Sequence, residues 1–160
     1  MKTVEIKKFL EKNKKQLLIA LGVILAIVVV WIIIKRLRKN NPESQKDKVE
    51  NETGQTVTQG LVFDELARRM FNAWVSTWGT DEAEVYSILG QMNTQADWEY
   101  LQARYESYWN SMSFVEQLVH NIGGLGLSGI LVSDFRRELN KKELQRCRDI
   151  LTAKGINPGF

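Results

Sequence analysis

The tetrapeptide Gly79-Thr80-Asp81-Glu82 opens an apolar helical pattern, Val85, Ile88 and Leu89. Two chemistries suit those residue types. Thr80 can cap a helix whose first-turn acids, Asp81 and Glu82, favour its dipole, with Gly79 making the turn. The same residues could form half of a calcium site, since calcium is a hard cation that accepts carbonyl and carboxylate oxygens in loose geometry. Other candidates carry weaker signals. Gly124-Leu125-Gly126-Leu127-Ser128-Gly129 fits G-x-G-x-x-G, but FVEQLVHNI before it has helical spacing, and a dinucleotide fingerprint needs a preceding strand. It reads as a helix break or loop. His120 has no Cys or His cluster around it and no nucleophile motif beside it, so it reads as a structural or surface histidine. Cys147 shares an apolar helical face with Leu144, Ile150 and Leu151 and reads as a buried small hydrophobe. Asp97 with Glu99, and Glu82 with Glu84, stand two apart on different helix faces and read as solvated acids. No catalytic constellation emerges, and the chain is read as a non-enzyme.

The elements that would position these residues follow from periodicity. From Gly60 onward the spacing predicts an all-α domain with five helical patterns. They cover about 61–76, 81–91 (capped by Thr80), 95–109 (capped by Thr94), part of 114–139 interrupted by glycines, and 141–153. Asn140 and Glu143 stand at capping-box spacing before the fifth, and Gly155 is a natural stop after it. Residues 60–160 are expected to form one core containing Trp74, Trp98 and Trp109, with Trp78 in an inter-helix loop.

The N-terminal part has a different texture. Residues 1–16 form a basic tail in which Val4, Ile6, Phe9 and Leu10 alternate with lysines. Residues 17–34, LLIALGVILAIVVVWIII, carry no charge and no proline. As a helix they would rise about 27 Å, close to the hydrocarbon thickness of a bilayer. Lysines and arginines flank both ends, and no small-residue cleavage site follows, so an uncleaved single-pass anchor is expected. Basic residues balance across the span and leave its orientation open. Residues 35–59 read as a basic flank and a flexible polar linker, in which Asn51-Glu52-Thr53 fits the N-glycosylation pattern. The net charge of +3 is uneven, since residues 1–39 carry ten Lys or Arg against two acids and residues 58–160 carry ten against thirteen. The domain itself is mildly acidic, which argues against a nucleic-acid partner.

Trp78-Gly79-Thr80-Asp81-Glu82, an apolar helix, the Gln91-Met92-Asn93-Thr94 turn, Phe135-Arg136-Arg137-Glu138-Leu139 and the helix from Lys142 to Gly155 together resemble a single annexin repeat. The resemblance implies a five-helix bundle. It also implies a calcium loop, with carbonyls from Val75, Thr77 and Gly79 and a carboxylate from Glu138. Thr77 stands where the family has its first glycine, and the glycine stretch before Glu138 is longer than the family's connection. A single repeat further implies a bacterial-envelope or phage setting. The expected role is a membrane-anchored, non-catalytic module with calcium-dependent contact to membrane or protein as one option. The alternatives are a small envelope- or phage-associated enzyme acting on lipid or cell wall, and a homo-oligomeric structural component.

Overall fold

Several helices of the folded part begin where a specific side chain satisfies the N-terminus. In a computed structural model the described residues are 22–31, 34, 41–75, 79–122 and 126–160. The chain divides into two units, Met1–Asn41 and Pro42–Phe160. In the first, residues 22–31 are helical and exposed along their length. The basic tail 1–16, residues 17–21, 32 and 33 of the expected span and its flank 35–40 lie outside the described residues, among which no helix is long and apolar enough to cross a membrane.

The second unit is all-α: α1 (Pro42–Thr53), α2 (Phe63–Trp74), α3 (Glu82–Leu89), α4 (Gln95–Ser111), α5 (Phe114–Ile122), α6 (Leu131–Glu138) and α7 (Lys141–Thr152). The longest, α4, packs against α1, α2 and α6, while α3 joins α2 to α7. Thr94 and Asp97 close a capping box at the head of α4, and Asn140 and Glu143 close the expected one at the head of α7. Gly155, at φ 73°, ends α7. The Gly155 N–H donates to Thr152 O at 2.9 Å and the Ile156 N–H to Leu151 O at 3.1 Å, a Schellman closure whose apolar pair, Ile156 and Leu151, is buried.

Two expectations change. The stretch expected as a flexible linker is largely α1, started by Pro42 at a position where its missing N–H is harmless. Only Val49 of this helix is buried, so periodicity does not reveal it. Hydrogen bonds dock it instead. Gln45 Nε2 donates to Ser107 Oγ at 2.7 Å, Arg104 donates to Gln45 Oε1 at 2.8 Å, and the Tyr100 hydroxyl donates to Pro42 O at 3.1 Å. The glycosylation-pattern residues form its last turn. The single interrupted fourth pattern resolves into α5 and α6, so the unit has seven helices among the described residues where five were expected. Gly129 accounts for part of the break. It has φ 73°, and a Cβ there would lie 2.3 Å from Trp109 Cδ1.

Phe135 sits at the centre of the aromatic core. It meets Trp74 edge-on at 5.2 Å and Trp98 edge-on at 5.9 Å, and stacks on Phe160 at 4.9 Å. Trp98 Nε1 donates to Pro158 O at 3.2 Å, which holds the C-terminal segment over this core.

Candidate functional site

The loop that follows α2 starts at Val75, whose N–H donates to Phe71 O at 3.2 Å, and closes where the Asp81 N–H donates to Ala73 O at 2.9 Å. Gly79 is exposed with φ 102°, and a Cβ there would touch nothing within 4 Å. Glycine is needed at this position for backbone conformation, not for space. The expected cap shifts by one residue: Asp81, not Thr80, is the N-cap of α3, accepting from the Glu84 N–H at 3.0 Å. Aspartate is the stronger cap because a carboxylate also meets the positive end of the helix dipole.

Glu84 is not a solvated acid. Arg69 donates to it through Nε at 2.6 Å and through the terminal nitrogen at 3.1 Å, clipping α3 to α2. This hydrogen-bonded pairing raises the Arg69 pKa. Arg68, Arg69, Asn72, Ala73, Val75, Asp81 and Glu84 line a cavity of about 380 Å³ beside the loop.

Of the four residues expected to ligate calcium, Val75 and Gly79 frame this loop, and Thr77 lies outside the described residues, as does Trp78. Glu138, the last residue of α6, is half-buried. Phe135, one turn before it, meets Trp74, the residue before Val75, so α6 packs at the root of the loop. Burial raises the Glu138 pKa, nearby Asp134 adds to the rise, and Arg137 opposes it. A carboxyl held this way gains from a cation. No group of three or more His, Cys, Asp or Glu able to hold a metal occurs among the described residues.

Two acids that sequence reasoning left on the surface or passed over are fully buried. Asp97 accepts from the Thr58 N–H and hydroxyl, both at 2.7 Å, from the Asn93 N–H at 2.8 Å and from the Thr94 N–H at 3.2 Å. It ties the segment after α1 to the α3–α4 turn. The capping-box spacing Thr94–Asp97 was a readable signal of its engagement. Asp134 accepts from the Tyr105 hydroxyl at 2.9 Å and from the Ser128 N–H and hydroxyl, both at 2.8 Å. Burial, then the Asp134 charge, raises the Tyr105 pKa and keeps the hydroxyl a donor. Both carboxylates organise loops.

Cys147 is buried, as expected, and burial pushes its thiol up to about 12. His120 is half-buried and edge-on to Phe71 at 5.1 Å. In the glycine stretch, Gly124 lies outside the described residues. Leu127 is buried, Ser128 is bound to Asp134, and α5, a helix, precedes the stretch in place of the strand that a dinucleotide fold requires. Compared with known proteins, the chain matches no family model, no curated protein sequence and no solved structure, so the annexin resemblance stands on the residues alone.

Proposed function

We propose that this chain is a single-pass, membrane-anchored, non-catalytic module. Residues 17–34 would span the bilayer, and the annexin-like helical unit would contact the membrane or a protein beside it. The observation that carries this reading is an eighteen-residue uncharged segment with basic flanks, placed seven residues before the first helix of the folded unit. The use of Asp97, Asp134 and Glu84 as structural ties supports a binding role over a catalytic one. Alkaline carbonate extraction of membranes carrying the full chain tests the anchor. The chain should stay in the pellet, while residues 42–160 expressed alone should not sediment. Release of the full chain by carbonate would overturn the reading.

A calcium-dependent version is favoured by the Gly79 conformation and by the Glu138 environment. Thermal melts in EDTA and in millimolar calcium, with Glu138→Gln as control, test it. A calcium-induced rise that disappears in Glu138→Gln supports a metal loop. Identical melts leave a turn and a helix cap.

A further inference from the structure

Helix α5 is turned inside out. Ser113 and Glu116 cap its start reciprocally, the Ser113 N–H donating to Glu116 Oε2 at 2.6 Å and the Glu116 N–H to Ser113 Oγ at 3.3 Å. The described side chains that meet the bundle are polar. Gln117 is half-buried and its Nε2 donates to Trp109 O at 2.8 Å, and half-buried His120 packs on Phe71. Val115, Leu118 and Val119 are 65%, 41% and 62% exposed. At 3.6 residues per turn these three fall within an arc of about 100°, roughly opposite Gln117 and His120. A helix of a self-sufficient bundle would show the reverse pattern.

We propose that this Val115–Leu118–Val119 face of α5 is a lipid-docking surface that rests in the interfacial layer of the bilayer carrying the residue 17–34 anchor. The proposal deepens the membrane-anchor reading and rests on it. Two observations choose a lipid surface over a second copy of the chain. The three side chains offer on the order of 300 Å², well below the ~800 Å² per partner of a stable protein interface. A tethered surface needs far less, because the tether has already brought the two together. Only residues 35–41 separate the anchor from α1, and seven residues reach at most about 25 Å. The chemistry of the contact also follows. α5 holds Glu116 and neither Lys nor Arg, so apolar insertion, not attraction to anionic headgroups, drives the docking.

The test uses the full chain reconstituted in phosphatidylcholine vesicles. An environment-sensitive fluorophore is attached at Val119→Cys, at Val115→Cys, or at exposed Asp149→Cys on α7 as control. Cys147, buried with its thiol held neutral, stays unlabelled. The expected result is blue-shifted emission at both α5 positions, with quenching by brominated lipid several-fold stronger than at the control. High salt should leave it unchanged. Carbonate-resistant chains whose α5 probes report water would overturn the docking surface and leave the anchor standing. A shift that requires high protein-to-lipid ratio and resists brominated lipid would assign the face to a second copy and overturn the proposal. Chains released by carbonate would overturn anchor and docking surface together.

Discussion

Replacing Asp97 with Ala removes one carboxylate and strands four donors: the Thr58 N–H, the Thr58 hydroxyl, and the N–H groups of Asn93 and Thr94. Asn93 is exposed and rehydrates, whereas Thr58 and Thr94 are half-buried. Hydrogen bonds to a charged group contribute about 1.5–3 kcal/mol each. With the three donors of Thr58 and Thr94 at the lower end, the loss is roughly 4.5 kcal/mol, and relief of carboxylate burial returns about 1.5 kcal/mol. A net loss of about 3 kcal/mol should lower the melting temperature of the folded unit by about 12 °C, given an unfolding entropy near 0.25 kcal/mol/K for ~120 residues. Circular dichroism melts of residues 42–160 measure it, and amide exchange reports whether Thr58 and Thr94 lose protection. Half-buried Glu99, which accepts from Gln95 Nε2 at 3.0 Å, is the control, and Glu99→Ala should change stability by about 0.5 kcal/mol or less. A fall under about 3 °C in Asp97→Ala, equivalent to less than ~1 kcal/mol, would refute the view that this carboxylate clasps α1 to the bundle.

The other expectations follow from the same contacts. Beginning the chain at Gly60 exposes the ground under Val49 and Val57, which are 6% and 3% exposed. At about 1.5 kcal/mol per valine, the melting temperature should fall by 10 °C or more, whereas an unchanged melt would restore the expected linker within residues 35–59 to the status of a tether. Gly129→Ala meets both a φ of 73° and the Trp109 ring and should destabilise by about 3 kcal/mol or more in urea titrations, against about 1 kcal/mol for Gly79→Ala, where only the backbone objects. Glu138→Gln should melt higher than the parent at pH 7 in EDTA. The folded unit holds this carboxyl's proton more tightly than the unfolded chain does, so stability falls as pH rises through the usual 4.5 and beyond. The difference should shrink below pH 4.5, and a gain that persists there would exclude the charge as its cause.

Local patterns were enough for most of the helices. Apolar spacing placed Phe63, Leu66, Met70 and Trp74 on one buried face of α2. Thr94, Asn140 and Gly155 marked boundaries because caps and left-handed stops are decided within one turn. The Gly79-Thr80-Asp81-Glu82 loop was legible as a turn into a helix for the same reason. What escaped were the features decided by distant polar partners. α1 has one buried residue and is held by Ser107, Tyr100 and Arg104, roughly sixty positions away. Asp97 looked solvated because a carboxylate's burial depends on donors such as Thr58, 39 residues earlier, which no helical period encodes. Glu84 looked solvated until α2 brought Arg69 to it. The outward turn of α5 likewise depends on where Trp109 and Phe71 receive Gln117 and His120. The sequence by itself determined an all-α unit, its main helix boundaries and the uncharged segment before it, because these depend on propensity, period and caps. Only the tertiary structure decided which acids are buried and which helix presents its apolar side to the outside, because burial is a property of neighbours brought together by the fold.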